Sequence, residues 1–142
     1  GMALAQYVAG MAFSNVGLGV VHGMAHPMGS LFDIPHGVAN ALLLPTIMEY
    51  NKPVCIDKYV EIAKAMDAYK EGMTKGEAAQ AACDAVRALA IEVGIPQHLS
   101  DLGITEKDID ALADQAIEDV CTPGNPRLVS RQDIVELYKK VL

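Results

Sequence analysis

Apolar side chains recur every three to four residues through almost the whole chain. No stretch alternates apolar and β-branched positions with polar ones as a half-buried strand would. The pattern predicts an all-α fold, a helical bundle. Residues 2–12 (MALAQYVAGMA) and 16–32 read as two buried helices parted near Ser14 and Asn15. Pro35 opens a third helix, PHGVANALLLPTIMEYN, in a first-turn position where its missing N–H costs nothing. Pro45 inside that stretch is expected to kink or split it, because proline removes a donor and crowds the preceding turn. Beyond residue 56 apolar stripes face charged ones. Asp57 to Ala68 forms one helix, and Thr74-Lys75-Gly76-Glu77 is a capping box that starts a long helix, stopped at Gly94-Ile95-Pro96. Thr105 and Asp108 start another helix, and Ser130 caps a last one running through Tyr138.

A chain of 142 residues suits a single core, so residues 2–142 are expected to form one domain; Gly1 is set aside as the kind of residue a removed tag leaves. The hydrophobic share of 51% and mean hydropathy of +0.22 are high for a domain that must cover its own surface. Some apolar faces therefore lack a partner, and self-association through the first 50 residues is expected. With 18 acidic against 11 basic side chains the net charge is -7, which disfavours a nucleic-acid partner. Cys55, Cys83 and Cys121 are odd in number and widely spaced, which suits a reducing, cytoplasmic setting better than a disulfide framework. The apolar first 21 residues have no basic leader and are interrupted by Gln6, Gly10, Ser14, Asn15, Gly17 and Gly19, so neither a signal peptide nor a membrane span is expected.

The chemistry concentrates in GVVHGMAHPMG (residues 19–29) and IPHG (residues 34–37), which carry three of the four histidines. His22 and His26 are four apart and share a helix face, and His36 at the start of the next helix can return to the same place. Imidazole binds divalent first-row metals, so a metal site is the functional reading, and hydrogen-bonded core histidines are its structural counterpart. The glycines between them, Gly17, Gly19, Gly23, Gly29 and Gly37, fit tight helix packing and close approach of a ligand equally well. Met24 and Met28 read as core filler. Cys121, with no basic neighbour, reads as a small buried hydrophobe, and Glu118-Asp119 as a solvated helix face. No phosphate-cradling Gly-rich loop, nucleophile elbow or H-E-x-x-H motif is present.

GLGVVHGMAHPMG followed by IPHGVANALLLP closely resembles the signature of the iron-dependent (group III) alcohol dehydrogenases. The stretches MALAQYVAGMAFSNVGLG, VGIPQHLSDLGI and DVCTPGNPR resemble the lactaldehyde reductase, or 1,2-propanediol oxidoreductase, branch of that family. The resemblance implies an NAD(H)-linked oxidoreductase acting on a small aldehyde or alcohol, with Fe²⁺ as the metal and Zn²⁺ as the chemical alternative. It implies that His22 and His36 are metal ligands. It makes His26 a residue beside the metal and nicotinamide that relays a proton, whereas spacing alone pairs His22 with His26. It implies that Phe13 and Cys121 line the substrate pocket. The family's other two ligands, an Asp and a His, and its Gly-Gly-Gly-Ser nucleotide site have no counterpart among these residues. The chain is therefore expected to be the C-terminal part of the helical metal-binding domain, lacking the N-terminal α/β domain that would be its partner, and to bind metal weakly and be inactive alone. The alternatives are a non-catalytic helical interaction module, or a metal-binding module that uses His22, His26 and His36 together.

Overall fold

The computed structural model describes residues 1–142 as six α-helices with no strand: α1 (Met2–Val16), α2 (Val20–Phe32), α3 (His36–Ala65), α4 (Lys75–Glu92), α5 (Ile109–Glu118) and α6 (Arg131–Lys140). Short 3₁₀ turns lie at Leu99–Leu102, Glu106–Asp108 and Thr122–Gly124. The all-α expectation holds, and so do the starts set by local capping. At Thr74 and at Ser130 the hydroxyl accepts from the backbone N–H three residues on, while Glu77 or Asp133 returns the bond to the cap's own N–H.

Two expectations about the N-terminal third fail. The break between the first helices is not at Ser14 and Asn15 but at Gly17–Gly19, where Gly17 takes φ 83° and the helices diverge by 110°. Only glycine takes that φ without strain, so the chain turns there rather than at the polar pair. Nor is α1 buried: none of its residues is, and Met2, Leu4, Tyr7 and Val16 are at least 60% exposed. Most of its apolar side chains face outward, and Phe13 is the one whose ring stands beside another helix, at His22. No single helix is long and apolar enough to cross a membrane.

The helix begun after Pro35 is not split at Pro45, nor is Asp57–Ala68 a separate helix. α3 runs unbroken through Pro45 and Pro53 to Ala65. Each proline leaves one carbonyl of the preceding turn without its donor, an expense of about 3 kcal/mol in a helix interior. Tertiary packing outweighs it. The buried stripe Ala39, Leu42, Leu43, Ile47, Met48 continues in register past the prolines to Tyr59 and Ala63, spanning two cores. The larger core gathers α2, α5, α6 and the first half of α3; the smaller one joins the second half of α3 to α4.

α2 lies at the centre of the larger core. Val20, Met24 and Met28 are fully buried, which fulfils the core-filler reading of the methionines. Tyr138 on α6, also fully buried, donates its hydroxyl to Met24 O at 2.6 Å. The opposite face of α2, carrying His22 and His26, stays partly open. Asp33, in the left-handed conformation at φ 54°, ends α2 and reverses the chain so that α3 starts beside it.

Candidate metal and substrate site

That reversal brings the three signature histidines together. His22 and His36 have ring centroids 5.3 Å apart, His26 and His36 5.4 Å, and His22 and His26 6.1 Å. Two imidazoles sharing one ion through bonds of about 2.0–2.1 Å have centres about 5 Å apart, so the spacing of the rings, though not by itself the aim of their nitrogens, suits a divalent first-row metal. Burial lowers the basicity of His22, and the neighbouring His36 and His26 lower it further against the pull of Asp119. The neutral imidazole is the form a metal requires.

His36 is the first residue of α3, and Asn40, one turn on, donates its amide to both His36 O (2.9 Å) and His36 Nε2 (3.0 Å). The other Asn40 atom, Oδ1, is buried without a partner. Phe13 of α1 stands against His22, ring centroids 6.3 Å apart. Phe13, His22, Gly37 and Asn40 share an open groove of about 1300 Å³ that runs between α1, α2 and α3 toward Lys58 and Lys75. Cys121 is not on the wall of that groove. Its sulfur lies within 4.8 Å of both a His26 ring nitrogen and an Asp119 oxygen.

Asp119 is the residue that sequence reading missed. It is not a solvated helix face: its side chain is 15% exposed and its Oδ2 lies 2.8 Å from His26 Nδ1. Its Oδ1 accepts the Cys121 N–H at 2.8 Å. Partial burial raises the carboxyl's pKa, but the Cys121 N–H, His26 and the Cys121 thiol outweigh it and hold the group below the usual carboxylate range. Cys121 in turn is not simply a buried hydrophobe. It is half-buried, and burial together with Asp119 pushes its thiol up, away from reactive thiolate character. The one available signal for Asp119 was its place at the head of DVCTPGNPR, a stretch whose resemblance marks it without saying what the carboxylate touches.

The 119–129 segment is pinned from several sides. Thr122 Oγ1 donates to Ala116 O at 2.6 Å, and Asn125 and Asn51 exchange amide hydrogen bonds of 2.8 and 2.9 Å. The Arg127 guanidinium lies 4.0 Å over the Tyr50 ring and donates to Tyr50 O, while the Tyr50 hydroxyl donates to Leu128 O. Two glycines of the sequence motifs allow this approach. A Cβ on Gly23 would collide with Thr122 Oγ1, and one on Gly124 with Leu18 O. For Gly23 the packing reading is therefore correct. Gly37 has nothing within 4 Å and leaves the ligand-approach reading open.

Comparison with known proteins bears on the family and the fold. The chain is 59% identical to lactaldehyde reductase of Escherichia coli (strain K12) over 137 residues, 96% of this chain and 36% of that protein. It is 43% identical to 1,3-propanediol dehydrogenase of Citrobacter freundii over 139 residues, 98% of this chain and 36% of that one. A crystal structure of 1,3-propanediol oxidoreductase superposes with a TM-score of 0.97 at 42% identity, over 99% of this chain and 37% of that one. An alcohol dehydrogenase from Oenococcus oeni gives 0.90 at 39% identity, over 94% of this chain and 35% of its own. The chain thus spans about a third of the length of these relatives. Residues 1–142 match the description "Fe-containing alcohol dehydrogenase family, C-terminal", and the chain belongs to that family as part of its C-terminal region.

Proposed function

We propose that this chain forms one wall of the active site of an NAD(H)-linked oxidoreductase that interconverts a small, lactaldehyde-like aldehyde and its alcohol or diol. Residues 2–142 act in it as one domain beside an N-terminal nucleotide-binding domain. The observation that carries the reading is the convergence of His22, His26 and His36 from two helices onto one partly open site. His22 and His36 hold the metal, Fe²⁺ by family and Zn²⁺ by ligand chemistry. When bound there, a divalent ion would supply Lewis-acid polarisation of the carbonyl oxygen. His26, engaged by Asp119 rather than free, relays the proton that accompanies reduction.

Phe13, from the groove wall beside His22, and Cys121, beside His26, both border the substrate. The groove of about 1300 Å³ is larger than an ordinary small-molecule pocket, so selection of a short aldehyde requires further protein surface over it. The exposed apolar side chains of α1 support such cover from the N-terminal part of the protein, and in its absence from a second copy of the chain. With no strand and no phosphate cradle, these residues do not fit the nucleotide, and NAD(H) is held elsewhere in the protein. Two imidazoles are fewer ligands than a stable site needs, so the chain alone binds metal weakly and does not turn over substrate.

The test is metal content and NADH-dependent aldehyde reduction in the whole protein. His22→Ala abolishes both on this reading, and retention of both would refute it. One observation favours a second reading in which His26 is also a ligand: a carboxylate on the distal ring nitrogen is the usual support of a metal-bound histidine. Calorimetric titration with Zn²⁺ separates the two, since His26→Ala leaves the affinity nearly intact if His26 relays protons and abolishes tight binding if it is a ligand.

A further inference from the structure

Asp119 offers two carboxylate oxygens, and each is committed. Oδ1 takes the Cys121 N–H and Oδ2 faces His26 Nδ1, both at 2.8 Å. An ionised carboxylate has only acceptor positions, so the hydrogen between Oδ2 and Nδ1 belongs to the imidazole. We propose that Asp119 is a positioning residue for the reaction: it holds the His26 ring with its hydrogen on Nδ1 and thereby leaves Nε2 as the nitrogen available to the reaction. This rests on His26 acting as the proton relay, and it adds which nitrogen relays and what enforces the choice.

The enforcement is built into the fold. The Asp119 oxygen nearer the chain is fixed by an Asx turn onto Cys121, closed by the Thr122 N–H on Asp119 O at 3.0 Å. Thr122 is anchored on Ala116 O and packs into the notch left by Gly23, the residue that follows His22 in the histidine signature. The missing side chain at 23 therefore sets how closely the Asp119 turn approaches α2, and so whether the carboxylate reaches His26.

An asparagine at 119 has the same shape but only one acceptor atom. The backbone N–H of Cys121 claims that atom, because a partly buried amide left unpaired is the more costly arrangement. The side-chain NH₂ then faces Nδ1, which must become an acceptor, and the ring hydrogen moves to Nε2.

The experiment is nuclear magnetic resonance of isotope-labelled imidazole nitrogens in the metal-free whole protein, with His26 assigned by its loss in His26→Gln. The wild type is expected to carry its hydrogen on Nδ1 and Asp119→Asn to carry it on Nε2. A wild-type ring bearing its hydrogen on Nε2, or a folded variant that keeps it on Nδ1, overturns the proposal; the wild-type spectrum decides alone if the variant fails to fold. In the metal-loaded protein Asp119→Asn should lower kcat for aldehyde reduction about 100-fold, the lower range of what a placed proton donor supplies, with KM unchanged. A tautomer switch with undiminished kcat overturns the positioning role. If His26→Gln also leaves kcat undiminished, the relay reading of His26 has failed, and the assignment of the Nδ1 hydrogen to Asp119 stands separately.

Discussion

Asn51 and Asn125 form a reciprocal amide pair: each donates its NH₂ to the other's carbonyl oxygen, at 2.9 and 2.8 Å, across 74 residues of chain. Asn125 also donates to Arg127 O at 2.7 Å and lies against the backbone of Gly19. The pair therefore ties α3 to the segment that carries Asp119 and to the start of the helix that carries His22. Replacing either asparagine by alanine strands a partly buried amide and should cost about 1–3 kcal/mol. In a double-mutant cycle measured by urea unfolding, the two substitutions together should cost clearly less than the sum of the two alone. Simple additivity would show that the pair is not a unit.

Cys83 sets the alkaline limit of the smaller core. It is fully buried against Tyr59, Ala79 and Ala82, and burial, aided by Glu49, pushes its thiol from 9.0 up to about 11. A group that holds its proton more tightly when folded stabilises the fold fully below its unfolded value and less as pH rises above it. Stability should therefore fall between pH 9.0 and about 11, and Cys83→Ala should lose this component of the fall. Tyr138 and Tyr59, both pushed up by burial, add a further decline above the ordinary tyrosine value of 10.0 that remains in the variant. Thermal melts across this range check it, and parallel pH profiles for the wild type and the variant would contradict it.

What could be read from the sequence divides by the range of the interaction. The starts of α4 and α6 were legible because Thr74 with Glu77, and Ser130 with Asp133, complete their hydrogen bonds within one turn. Helical spacing put His22 and His26 on one face and left His36 able to return to it, whereas the reversal at Asp33 that brings it there is a structural finding. The His26 to Asp119 contact spans 93 residues, and nothing local distinguishes that carboxylate from the exposed Glu118 beside it. The unbroken α3 was illegible for a related reason. Proline's local effect is visible at once, whereas the packing of Tyr59 and Ala63 that offsets it depends on α4. The exposed α1 read as buried because its composition is that of a core helix, and composition does not say which surface provides the cover.

Pro53 gives a direct measure of that offset. It lies in the interior of α3 on an exposed position, where its ring denies a donor to the carbonyl of Glu49. Pro53→Ala restores the donor without disturbing either core. It should stabilise the chain by about 1 kcal/mol or more, part of the roughly 3 kcal/mol that separates the two residues in a helix interior. Urea unfolding reads the change. A loss of stability would mean that proline's stiffening of the unfolded chain contributes more than the missing hydrogen bond.

Two glycines near the histidines, Gly124 and Gly37, should respond in opposite ways when alanine replaces them. At Gly124 the added carbon meets Leu18 O, a backbone atom that cannot turn aside, so the Thr122–Gly124 turn or the Gly17–Gly19 junction must move. Gly124→Ala should cost about 1–3 kcal/mol, as overpacking does, and should loosen Phe13 from His22. At Gly37 the added carbon meets nothing, and the residue stands in the first turn of α3. Gly37→Ala should therefore stabilise the chain, by up to about 1 kcal/mol from helix propensity. Gly37 nonetheless lines the groove beside the histidines. If its bareness serves the approach of a ligand, the stabilised variant should reduce aldehyde with a raised KM in the whole protein. Higher stability with unchanged KM would instead leave this glycine without a role in binding.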